Sequence, residues 1–214
     1  MTRIDDDFLD QLSGTLKPVR PVSDRRVLIS LAGLAVVGLV LVAATLGARP
    51  DLLAGTPHPM MPLRSGMLLM LGGICAAAAG AMARPGVGRG NRAWLAALAM
   101  AATFPLAALA LAVTDPAGTF KAVWWPSAIT CLTVSLTAAM AFAVPLVLHL
   151  RRGAPVAPER AAIVTGLAAG SLGVLVYSIH CPANHIAYIG LWYGMAIALA
   201  TLAARLIIPH LIRW

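Results

Sequence analysis

Tyr177-Ser178-Ile179-His180-Cys181-Pro182-Ala183-Asn184-His185 lies where two long apolar runs meet, residues 161–180 and 186–208. Each run is close to the ~20 residues that an α-helix needs to cross a hydrocarbon layer. Between them Pro182 lacks the N–H that would continue a helix. The stretch therefore reads as a turn joining two membrane-spanning helices. It also gathers chemistry, with His180, Cys181 and His185 set in a chain that is otherwise mostly apolar.

Working outward, four more apolar runs precede it, at about 27–47, 65–83, 93–113 and 126–150. The expectation is an all-α membrane protein, a bundle of six transmembrane helices. Composition agrees: the 214 residues are 60% hydrophobic and 11% charged, against about 25% charged in an ordinary soluble domain. Mean hydropathy is +0.85. The first run is too long, and too far from the start, for a secretory signal peptide, and five more spans follow it.

The formal charge of +8 would point to nucleic acid in a soluble protein. Here the basic residues flank spans, and no direct nucleic-acid contact is expected. Arg3, Lys17, Arg20, Arg25, Arg26, Arg84, Arg89, Arg92, Arg151, Arg152, Arg160, Arg205 and Arg213 fall on one side of the bilayer, and only Arg49, Arg64 and Lys121 on the other. The excess of Lys and Arg in cytoplasmic loops then puts both termini in the cytoplasm. Residues 1–26 form a cytoplasmic tail, 27–208 the transmembrane domain and 209–214 a short cytoplasmic end. Trp124 and Trp125 belong to the outer interface, Trp94 and Trp214 to the inner one.

In the tail, Ile4, Phe8, Leu9, Leu12 and Leu16 fall near one side of a helical wheel. Asp5, Asp6, Asp7 and Asp10 cover much of the rest and suit the positive N-terminal end of a helix. Gly14, Pro18 and Pro21 end the pattern, and a basic linker follows. The segment reads as a short amphipathic helix able to dock in a partner's groove; the competing reading is a plain tether.

Three cysteines make no disulfide framework. Cys75 falls in mid-span and reads as packing. Cys131 lies 21 residues before Arg152, and Cys181 lies 21 after Arg160, so both stand about 31 Å from the loop that joins spans four and five. Both thiols thus reach the same outer level, where His180 and His185 add imidazoles. Thiolates with imidazoles suit soft transition metals such as copper, zinc or cadmium; a neighbouring imidazolium also activates a thiol. Cys131 as a small packing residue is the alternative. Tyr177, Tyr188, Trp192 and Tyr193 surround the same level. His149 and His210, at cytoplasmic span ends, read as interfacial.

The spans drawn above hold no Asp, Glu or Lys, and only Arg205. Pumps and secondary transporters usually place ionisable groups within the membrane, so a small metal or solute permease is the weaker alternative. A haem- or quinone-binding membrane subunit is another, although no pair of histidines shares a depth on facing spans. No cofactor is required by the pattern, and no enzyme motif appears. Gly166-Leu167-Ala168-Ala169-Gly170 is a small-xxx-small pattern that brings helices close; such faces also permit a homo-oligomer.

The tail motif Leu12-Ser13-Gly14-Thr15-Leu16-Lys17-Pro18-Val19-Arg20, six spans, and His180-Cys181-Pro182 with the later Leu191-Trp192-Tyr193-Gly194 together resemble the NrsF family of bacterial membrane anti-sigma factors. Cys131 and Cys181 match that family's cysteine pair. The resemblance covers essentially the whole chain. It implies that the protein sequesters an extracytoplasmic-function sigma factor at the inner membrane and releases it on metal or oxidative stress. Pro18 and Arg20 would join the tail's apolar face in contacting that partner.

Overall fold

The computed structural model describes residues 14, 23–84, 93–124, 126–153 and 155–212. The tail residues Ile4, Phe8, Leu9, Leu12, Leu16, Pro18 and Arg20 lie outside that set, as do Trp125 and most of the loop at 84–92.

The described residues form helices and connections with no strand. Helices α1 (Asp24–Thr45), α3 (Met60–Met82), α4 (Ala93–Thr114), α6 (Ala128–Arg152), α7 (Pro158–Tyr177) and α8 (Ile186–Ile212) are the long ones. All six are long and apolar enough to cross a membrane. A helix satisfies every backbone donor and acceptor within itself, which hydrocarbon requires. Two short helices, α2 (Pro50–Leu53) and α5 (Pro116–Val123), occupy connections between the apolar runs. Both start at a proline, whose missing N–H is harmless in a first turn.

Helix α7 is the axis of the bundle. It is buried along nearly its whole length and packs chiefly on α6, α8 and α3. Its sequence explains this, because Gly, Ala, Ser and Thr project little and let neighbouring backbones approach. A Cβ on Gly166 would stand 2.5 Å from Thr201 Cα of α8, and one on Gly173 would stand 2.7 Å from Ala139 N and against Ser135 O of α6. The small-residue pair Gly166 and Gly170 therefore serves the contact with α8, while Gly173 serves α6. By contrast α1 buries only Leu31 and Val42, and α4 is also largely exposed.

Two boundaries differ from expectation with consequences. Helix α3 begins at Met60 rather than near residue 65, which puts Arg64 inside a spanning helix, fully buried. The expectation that Arg205 is the only charge in the spans is thereby corrected. A cationic side chain ended the apolar run on paper, but backbone carbonyls of another loop receive it in the fold. Helix α8 contains a π-helical turn at Ile189–Tyr193, of the kind frequent at functional sites. Its Gly190 packs against Phe104 O and Ala108 of α4.

Candidate functional site

The two ends of the bundle each carry a polar cluster. At the thiol end the connection Ser178–His185 crosses between α7 and α8. Cys131 and Cys181 are both free and fully buried, in one core cluster with Tyr177, Tyr188, Ile189 and Tyr193. Cys131 enters from the first turn of α6 and Cys181 from the connection. Cys75 is also free and buried, but on α3.

Two arginines hold the connection from below and from the side. Arg64 donates from Nη2 to the carbonyls of Ser178 (3.0 Å) and Cys181 (2.7 Å), and from Nη1 to that of Ala183. Its guanidinium also faces the Tyr193 ring, 5.6 Å from the centroid, a cation–π contact. Among the described residues no carboxylate pairs with it. Arg49 is buried too, and its Nη1 donates to the same Cys181 carbonyl at 2.7 Å and to Asn184 Oδ1 at 3.2 Å. Its other face forks onto Asp51, with Nε to Oδ1 at 2.8 Å and Nη2 to Oδ2 at 2.6 Å. That bidentate bond, helped by the His58 N–H, holds the Asp51 carboxyl well below the usual carboxylate range; the same fork raises the pKa of Arg49 against its partial desolvation.

The histidines expected as ligands have local roles. His180 Nδ1 lies 2.9 Å from the Gly47 carbonyl just past α1. His185 is exposed and caps α8, its Nδ1 accepting from Ala187 N at 3.2 Å. His58 Nδ1 accepts from Met60 N in the connection before α3. Among the described residues, no group of three or more His, Cys, Asp and Glu side chains is placed to hold a metal ion. What surrounds the thiols instead is hydroxyl-bearing. Ser127, Ser135, Tyr188 and Tyr193 each bury a hydroxyl without a hydrogen bond of standard geometry among the described residues. Ser135 and Tyr188 lie beside Cys131, and Tyr193 beside Cys181. A polar lining of this kind is unusual in a core, because each unmade hydrogen bond carries a desolvation cost.

At the opposite end, Asp24 opens α1 directly after residues 1–23. Its Oδ2 pairs with Arg84 at the end of α3, and its Oδ1 lies 3.1 Å from Nε2 of His149 on α6. His149 is buried rather than interfacial, which corrects the reading from its place near a span end. Leu150 beside it joins Ala83, Ala161, Ala204 and Ile208 in a second apolar cluster. His210 is exposed.

Sequence reasoning missed Arg49, Arg64 and the Asp24 cluster. One signal was present for Arg64: it stands four residues after Met60, within helix reach of the apolar run. For Asp24 and His149 there was none, because the contact joins residues far apart in the chain.

Taken together, the fold and its two polar ends define a six-helix bundle of membrane-spanning type with a buried thiol pair at one end and the root of an N-terminal tail at the other. The chain belongs to the NrsF family, described as negative regulator of sigma F, whose profile matches residues 12–214. It is similar to the anti-sigma-F factor NrsF of Caulobacter vibrioides, 28% identical over 98% of this chain and 99% of that protein. It is likewise similar to a probable anti-sigma-F factor NrsF of Azospira oryzae, 27% identical over 82% of each. No solved structure matches.

Proposed function

We propose that this chain sequesters a sigma factor of the extracytoplasmic-function type at the bacterial inner membrane and frees it when metal or oxidant acts on Cys131 and Cys181. The names of its relatives support the partner class. The observation that carries the sensing half is the placement of both thiols: free, in one buried cluster, with the Cys181 carbonyl gripped by Arg49 and Arg64 together. A change at Cys181 cannot leave that grip undisturbed.

Two chemistries reach such a pair. An oxidant such as hydrogen peroxide takes two electrons and two protons from the thiols, leaving a disulfide and two waters. A soft cation, whether copper, zinc or cadmium, binds two thiolates and releases two protons. In the metal route an imidazole would have to be brought to the thiols, since no such group of three ligands is assembled among the described residues; His180 could offer Nε2 while its Nδ1 keeps the Gly47 carbonyl. The tail's apolar face, with Pro18 and Arg20, supplies the sigma contact. The role is regulatory, with no catalytic step.

The experiment is a reporter driven by a sigma-dependent promoter, read with and without cadmium, copper or peroxide. Cys131→Ser and Cys181→Ser should each abolish the response, and the double variant should behave like either single one, because one bond needs both partners. Induction of wild-type size in the double variant would refute the thiol reading.

A further inference from the structure

The thiol end and the tail are a bilayer apart, and something must connect them. Helix α1, through Gly47 and Arg49 just past its end, links the two. Its 22 residues span about 33 Å. At one end the Gly47 carbonyl accepts from His180 Nδ1 at 2.9 Å, and the Arg49 N–H donates to Ile179 O at 3.1 Å. Arg49 then reaches Cys181 O. At the other end Asp24 meets His149 and Arg84, and the tail begins one residue before it.

Between these pins α1 is held weakly. Leu28, Ile29, Val36, Val37, Val40 and Leu41 are exposed. In hydrocarbon, apolar flanks gain nothing from burial against protein, because lipid tails are equally apolar. Besides the buried Leu31 and Val42, α1 meets α7 closely at Gly38, where a Cβ would stand 3.0 Å from Cγ1 of Val176. The alternative route, sliding of α6 along α7, is blocked by contact. Gly173 lies against Ser135 O and the Ala139 backbone with no room for a Cβ, so α6 and α7 meet far more closely than α1 meets either along its exposed flank.

We infer that α1 is a rod that carries the state of the Cys181 connection to the tail, seated at Gly38, with the Asp24–His149–Arg84 contact as its stop. The inference rests on the sigma-binding role of the tail proposed above. Asp24, His149 and Arg84 act as positioning residues, since they touch neither the thiols nor, by this account, the partner. Disturbing the Cys181 connection pulls on residues 47–49, shifts α1 in its seat, strains the stop and frees the tail.

The test needs no stress and no change at the thiols. Full-length variants are expressed with the sigma-dependent reporter, and membrane abundance is checked by immunoblot. Asp24→Asn removes the charge from the stop, and Gly38→Ile drives α1 off Val176. Each should raise unstressed output about fivefold or more, the factor that a shift near the scale of one weak contact produces. Two further variants separate positioning from misfolding. Asp24→Glu keeps a carboxylate for both His149 and Arg84, and Gly38→Ile with Val176→Ala restores the room; both should hold output near wild type at equal abundance. A chain lacking residues 1–16 sets the scale for full release. If that deletion releases sigma while Asp24→Asn or Gly38→Ile stays at wild-type output, the rod is overturned and the sigma reading stands. If the deletion itself still sequesters sigma, the tail reading falls. Elevated output that persists in Asp24→Glu and in Gly38→Ile with Val176→Ala also overturns the rod.

Discussion

Arg49 and Arg64 show how a single residue type does two jobs at one carbonyl. Both donate to Cys181 O, but Arg49 brings its own counter-charge in Asp51, whereas Arg64 is met by carbonyls and an aromatic face. Replacing Arg64 by Met leaves the buried Ser178 and Ala183 carbonyls without this donor, while Cys181 O keeps Arg49. Since each such group costs about 1–3 kcal/mol, Arg64→Met should lose about 2 kcal/mol or more, read as a lower melting temperature in detergent, with Arg64→Lys recovering part. The Arg49–Asp51 pair has a defined pH window. A carboxylate whose folded pKa is depressed binds its proton more readily in the unfolded chain, so stability rises with pH. The contribution is fully present above the ordinary Asp value of about 4 and is lost as pH falls through the lower folded value. Melting curves of the wild type and Asp51→Asn should therefore differ at pH 7 and converge under strong acid. A gap between them that failed to narrow as the pH fell from about 4 to about 2 would contradict the assignment.

At the scale of the helices, α7 decides the packing, and its glycines are the sensitive points. Gly173→Val puts a branched side chain against the Ser135 carbonyl and Ala139 backbone of α6. Overpacking of this kind costs about 1–3 kcal/mol, and the variant should show reduced thermal stability and lower abundance, whereas the same change at exposed Gly66, with open space around it, should be nearly neutral. The six spans were legible because hydrocarbon imposes a length and a composition that no soluble helix needs. The closeness of α7 to its neighbours was legible too, in Gly166 and Gly170. Which neighbour each glycine meets was not, since a small residue advertises proximity but not a partner. The arginines were hidden for a related reason. Arg64 and Cys181 are 117 residues apart, and a backbone carbonyl leaves no mark in the sequence of the residue that offers it. The two cysteines were legible as a pair through their equal distance from one loop. Their hydroxyl-lined setting combines Ser127 just before α6 and Ser135 within it with Tyr188 and Tyr193 around the π turn in α8, and hydropathy carries no trace of that turn.

For the whole molecule, the question is which end faces the cytoplasm. Six spans place both termini on one side, and thirteen of the 16 basic residues accompany them. The three on the opposite side weaken that argument only on paper. Arg49 and Arg64 are buried and spend their donors on the Cys181 connection and Asp51, so the fold accounts for their presence there; Lys121 alone is exposed. With the termini in the cytoplasm, the proposed docking role of the tail predicts that Phe8→Asp or Leu12→Asp releases the partner, because a charge on a docked apolar face must be desolvated at a cost of several kcal/mol. Fusions of a reporter active only in the cytoplasm should be active after residue 26, within 84–92, within 151–160 and at the C-terminus. Fusions within 48–63, 114–123 or 180–186 should be active only with a reporter for the outer side. The decisive positions are 180–186, because they carry Cys181. Cytoplasmic activity there would put the thiols and the tail in one compartment, remove any need for a rod across the bilayer, and overturn the account of a signal received on one side and answered on the other.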